Sequence, residues 1–269
     1  MNRRVWAALT VVLGLLAGSS AGAEIFAVPD SVRQMRAPHE EVHVLRALDT
    51  GRSLGEQRLR AVVHSDLLSL DVVTGFTNGE QWDEHVEMDL SQGYRAKSFR
   101  KVGRRGGKVV AEEEVDFTTG KVTWLRDGER GARTFAFTPD TYIGPMFGVV
   151  LAAVPEWPLG GVSFHTVVFR PDPSVYALRA DVVDQEDFRV GSAAEATTKV
   201  RLKADLGSVQ NLVLASFIPT HYFWFTRESP PEFFAFEGSL GDGGIELRMI
   251  PERPLASTAR AGRAPVGPR

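Results

Sequence analysis

The sequence predicts an all-β fold: an antiparallel, strongly curved sheet forming a closed or half-open barrel, with one short helix. Three observations carry this. Apolar and polar residues alternate with period two in about a dozen short runs. Turn signals such as Thr119-Gly120 and Asp127-Gly128 separate those runs. Only one segment has the length and composition of a helix.

Residues 1–23 stand apart from the fold. Arg3 and Arg4, an apolar run from Val5 to Leu16, and small residues ending Ala21-Gly22-Ala23 make a secretory signal peptide cleaved after Ala23. The run is too short for a spanning helix. The chain has no cysteine, so neither a disulfide nor a lipid-attachment thiol follows the cleavage site. These features place a freely soluble product, without a transmembrane anchor, in a bacterial periplasm.

Residues 24–38 have no clean period and contain Pro29 and Pro38, which reads as an extended N-terminal arm. Residues 39–250 read as one β domain, because no linker composition interrupts them. The first strand signals are VHVLRAL, EQRLRAVV and LLSLDVV. Arg104-Arg105, flanked by Gly103 and Gly106-Gly107, reads as a solubilising hairpin tip. In KVVAEEEVDF, Val109, Ala111, Val115 and Phe117 share one face, while Val110, Glu112, Glu114 and Asp116 share the other. Glu113 is the inward misfit. VTWL and TFAF follow, then a helix that starts near Pro145, runs through MFGVVLAAV to Pro155 and plugs one mouth of the sheet. VSFHTVVF, SVYALRADVV, TKVRLKA, NLVLASFI, HYFWF, EFFAF and IELRMI complete the strands. Residues 251–269, rich in Arg, Ala, Gly and Pro, read as a disordered basic tail. An outer-membrane barrel is disfavoured, because its lipid wall needs sustained alternating strands of about 10 residues and these are mostly shorter, with charges on one face.

Composition excludes some partners. Between signal and tail the body carries 25 basic and 33 acidic side chains, so it has no surface suited to nucleic acid.

His39-Glu40-Glu41-Val42-His43 fits H-E-x-x-H, in which two imidazoles one helical turn apart hold zinc and the Glu activates a metal-bound water. Pro38 precedes the motif and an extended run follows it. In a strand, residues four apart lie about 13 Å apart, too far to share one ion. His39, Glu40 and His43 are therefore rejected as a metal site, and no cofactor is expected. No nucleophile elbow, phosphate loop or dinucleotide fingerprint occurs, and the chain reads as a non-enzyme. His165 shares a strand face with Ser163 and reads as a solvated or hydrogen-bonded histidine.

The aromatic strand HYFWF is apolar on both faces, with Tyr222 and Trp224 on one side and Phe223 and Phe225 on the other. One face belongs to the core. The second either packs under another element or lines an apolar cavity. The candidate ligand-binding residues are thus Tyr222 and Trp224, joined by Trp124, Phe135, Phe137 and Phe147, with Trp82 as a weaker addition.

VDFTTGKV, the TPDTYIGP segment, LGGVSFHTVVF, TTKVRLK and the closing HYFWFTRESPPEFFAFEGSLGDGGIELRMI together resemble an exported bacterial family, domain of unknown function 3108. The resemblance spans roughly Val42 to Ile250. It implies a strongly curved antiparallel sheet akin to the half-barrels that carry lipoproteins across the periplasm, and it brings no catalytic residues. Two functions follow as expectations. The domain binds a lipid or hydrophobic peptide in an apolar groove, or it is an envelope scaffold that binds another protein at a sheet edge.

Overall fold

The structure, a computed structural model, describes residues 26–35, 37–154, 156–169, 172–205, 220–240 and 246–252. Residues 1–23, read above as a signal peptide, the NLVLASFI run and the residues after Glu252 lie outside the described residues. A four-residue helix α1 (Asp30–Arg33) precedes strands β1 (His39–Ala47), β2 (Ser53–His64), β3 (Leu67–Phe76), β4 (Glu80–Asp89), β5 (Arg95–Arg105), β6 (Lys108–Asp116), β7 (Lys121–Arg126) and β8 (Glu129–Thr134). Helix α2 (Met146–Ala152) follows, then β9 (Val162–Val168), β10 (Ser174–Val190), β11 (Ala193–Ala204), β12 (His221–Thr226), β13 (Phe233–Ser239) and β14 (Glu246–Pro251).

The fourteen described strands join one antiparallel sheet in the order β8-β7-β6-β5-β4-β3-β2-β1-β14-β13-β12-β11-β10-β9. Strands adjacent in sequence pair antiparallel, except that β8 and β9, which α2 separates, do not meet, and β1 pairs with β14. That one long-range pairing joins the two halves of the chain. Among the described residues no ladder closes the sheet, so β8 and β9 are its edges, and the barrel is half open.

Alternation sets which residues fill the concave face. Leu70, Val86, Phe99, Val115 and Val122 occupy one register row across β3 to β7 and are buried. Phe236, Phe223, Val200 and Val182 continue the lining on the other half. Helix α2 begins after Pro145 as its pyrrolidine ring dictates, and it drives Met146, Phe147, Val150 and Leu151 into this core. Phe164 anchors the plug, with the rings of Phe26, Tyr142 and Phe147 within 5.5–6.2 Å.

Four details depart from the sequence expectations. The arm at 24–38 is not wholly extended: Val32 and Arg33 donate backbone hydrogen bonds to the Pro29 carbonyl and form α1, a second helix, while Phe26 and Val28 are buried. The run TFAF is split, because β8 ends at Thr134 and Phe135 to Phe137 continue beyond it. The tail begins after β14, since Pro251 still pairs with His43. Six strands reach ten residues or more, so length does not separate this sheet from a membrane barrel. Outward charge does. Arg60 lies 3.6 Å from Glu40, His85 2.8 Å from Asp71 and Arg100 2.6 Å from Glu112, a wall unlike the apolar band a lipid bilayer requires.

Candidate functional site

Strand β7 turns into β8 through Asp127-Gly128, both at positive φ (51° and 83°), the two-residue type I′ hairpin whose twist matches its strands. In such a hairpin the flanking pair, Arg126 and Glu129, exchanges both backbone hydrogen bonds, and the pairs Trp124–Gly131 and Val122–Arg133 repeat that pattern. The backbone groups of Arg130, Ala132 and Thr134 therefore point off the sheet. Gly131 is required here because the Trp124 ring occupies the space its Cβ would take.

The opposite edge is less open. The main chain of Asp140 to Tyr142 runs along β9, accepting from the His165 N–H at Asp140 (3.0 Å) and donating from Tyr142 to the His165 carbonyl (2.9 Å). Side chains span the remaining gap. Arg126 donates to the Phe169 carbonyl at 3.0 Å, and Arg133 donates to the Pro173 carbonyl at 3.3 Å while lying 3.5 Å from Asp172. The β8 edge is thus left without a strand partner among the described residues. Beside it, on β6 to β8, lies a cleft of about 310 Å³ lined by Glu112, Glu114, Thr123, Trp124, Leu125 and Arg130 together with Gly131.

A charged belt crosses the concave face near this seam. Glu84, Lys101 and Glu113 are directly opposed on β4, β5 and β6. Lys101 Nζ stands 4.0 Å over the Trp82 ring and 3.8 Å from Glu84, and Arg126 lies 3.8 Å from Glu113. The inward Glu113 is therefore matched by cations on both neighbouring strands, which offsets the cost of taking its charge out of bulk water.

The motif His39–His43 lies wholly in β1. His39, Glu41 and His43 face inward and Glu40 faces outward, so the residue that would activate a metal-bound water sits on the opposite face from both imidazoles. Glu41 bonds His39 at 2.7 Å, which raises the His39 pKa, and lies 3.6 Å from His43. Burial holds His43 below the usual histidine range, and its Nδ1 has no hydrogen-bond partner.

The six aromatic candidates do not converge. Tyr222 and Trp224 lie on the outer face of β12, where the far end of the long β10–β11 hairpin curls over them. Phe188 of that hairpin stacks edge-on against Trp224 (5.2 Å) and Phe234 (5.5 Å), and Trp224 Nε1 donates to Glu186 at 2.6 Å. Lys199 Nζ sits 4.7–4.8 Å over both the Tyr222 and Trp224 rings. Trp224 is 2% exposed, so this face is packed. Phe147 is in the core plug, Trp124 is at the seam, and Phe135 stacks on Phe137 (6.0 Å) near the end of β6. Reading the sequence singled out the aromatics and expected a sheet edge without locating it on β8, because that edge carries no unusual residue and exists only through strand order.

No protein-family model matches the chain, and no curated protein matches it. Among solved structures it is similar to the β-barrel-like protein of domain of unknown function DUF1849 from Brucella abortus, at 12% identity and a TM-score of 0.51, over 80% of this chain and 95% of that one. A second match, the hypothetical lipoprotein YmcC from Escherichia coli, has 6% identity and a TM-score of 0.29, over 84% and 88% of the two chains. The first likeness is one of fold: the chain shares the architecture of an uncharacterised bacterial β-barrel-like domain.

Proposed function

We propose that this is a non-enzymatic binding domain of the periplasm that takes an extended segment of another envelope protein along the β8 edge. The observation that carries this reading is the backbone of Arg130, Ala132 and Thr134, which no described strand pairs, at the rim of a half-open barrel. An added strand would satisfy those groups, and its side chains would lean into the adjoining cleft. A second copy is a poorer occupant, because each β8 brings Arg130 and Arg133 against a single Glu129. The periplasmic location rests on the signal pattern of residues 1–23, and the kinship with family 3108 rests on the motifs quoted above.

The acyl-carrier reading has less support. Helix α2 and Phe164 fill the apolar part of the concave face, and charged side chains line its seam end. The test is site-specific photocrosslinking in living cells. A crosslinker at Ala132 is expected to capture one discrete protein, while the same group at the outward Val73 of β3 captures none. Equal adducts from both positions, or lipid released from the purified protein in place of a protein adduct, would overturn the proposal.

A further inference from the structure

The Thr138–Thr141 turn, which links β8 to the β9 edge, forms one wall of a second cleft. Its volume is about 170 Å³, and it is lined by Arg95, Ala96, Phe117, Phe137, Thr138, Pro139 and Thr141. We propose that this cleft binds a carboxylate carried on a small apolar group.

Hydrogen-bond accounting supplies the donors. His165 Nδ1 lies 3.1 Å from Asp140 Oδ2, so the imidazole proton is committed to that carboxylate. Thr138 Oγ1, 3.2 Å from the same Nδ1, can accept from it and shares a hydrogen bond with Thr141 Oγ1 at 3.1 Å. With Thr138 as the donor in that pair, the Thr141 hydroxyl proton is left for the cleft. The turn itself is fixed by the Thr141 N–H donating to the Thr138 carbonyl at 3.0 Å. On the other wall, the enclosed Nε of Arg95 has no hydrogen-bond partner among the described residues. Tyr142 donates to the Tyr94 carbonyl at 2.8 Å, which ties the residue before Arg95 to the turn.

Phe117 and Phe137, with ring centroids 5.0 Å apart, give the cleft an aromatic side, and Ala96 and Pro139 complete the apolar lining. A guanidinium beside a hydroxyl suits a planar carboxylate. Phosphate fits less well, because Arg95 is the one charged side chain lining the cleft and Asp89 and the buried Asp140 lie nearby, so a second negative charge on the ligand would go unmatched.

The test is an NMR titration of the whole mature protein with benzoate, following the amides of residues 138–142. Saturable shifts are expected at millimolar benzoate and not with benzyl alcohol, which keeps the ring and loses the charge. Arg95→Gln should weaken binding about tenfold or more, as expected for loss of a charge-assisted pair. Should that variant fail to fold, Thr141→Val serves, with a smaller loss expected. A peptide ending in phenylalanine, compared with its C-terminal amide, distinguishes the sources: tighter binding of the free acid peptide than of benzoate assigns the cleft to a chain terminus, and the reverse assigns it to a small free acid. Absence of saturation, equal binding of benzyl alcohol, or unchanged affinity in both variants would overturn the proposal.

Discussion

Strands β10 to β14 bury aromatic side chains on both faces of the sheet, whereas β2 to β6 present ion pairs outward and a charged belt inward. In the aromatic half, Phe223, Phe225 and Phe236 fill the concave face, and Trp224, Phe234 and Phe188 make a second cluster behind it. In the charged half, cross-strand pairs such as Arg100–Glu112 tile the outside, and Glu84, Lys101 and Glu113 line the inside toward the seam. The difference comes from coverage. The β10–β11 hairpin is long enough to curl over its own half, as the approach of Arg248 on β14 to the Phe188 ring (5.9 Å) shows. No described element covers the outer face of β2 to β6, so that face keeps charges that water can solvate.

This contrast predicts unequal sensitivity to substitution. Trp224→Ala removes a fully buried ring and strands Glu186 without its donor. Loss of about 3–5 kcal/mol in denaturant unfolding is expected. Combining it with Phe188→Ala should cost less than the two separate losses, because the rings share one cluster. Additivity would mean that the hairpin does not cover the aromatic face in solution.

A pH titration of stability sharpens the same boundary. His221, on the aromatic half, is held neutral by burial, its pKa pushed down to about 4 from 6.5. A histidine with a lowered folded pKa leaves the unfolded chain binding more protons. Its contribution is therefore complete above pH 6.5 and is lost as pH falls from 6.5 toward 4. The full effect is about 3 kcal/mol, and burial of His43 adds a loss of the same sign. His39 opposes them: Glu41 raises its pKa, so its contribution is complete below 6.5 and fades as pH rises through the raised value. His221→Gln should flatten the acid limb seen by circular dichroism, and an unchanged limb would place the acid sensitivity elsewhere.

The smallest effect belongs to the charged half. Arg100→Gln should cost no more than about 1 kcal/mol, because its partner pair is solvated. A loss matching that of Trp224→Ala would erase the proposed distinction between the halves.

Legibility in the sequence followed the same division. Strands with an apolar face, such as LLSLDVV and VSFHTVVF, show a clear period of two. β4, EQWDEHVEMD, does not, because its inward positions include Trp82 and Glu84 and so lack apolar contrast with its outward charges. SVYALRADVV marks only the start of β10, which continues through DQEDFRV to Val190 because that part lies in the arm. Tyr222 and Trp224 were identifiable as a second apolar face, and only the curl of a hairpin from elsewhere in the chain shows what lies over it.

By itself the sequence determined the all-β class, the hairpin turns, the helix after Pro145 and the extended nature of the HEEVH segment. Each follows from local sterics and from the period with which side chains alternate, which a run of ten residues contains. Tertiary structure alone decided that β1 pairs with β14, that Phe188 covers Trp224, and that β8 ends the sheet with its backbone open. Those outcomes depend on which strands meet across two hundred residues, and strand pairing is set by the fit of whole faces.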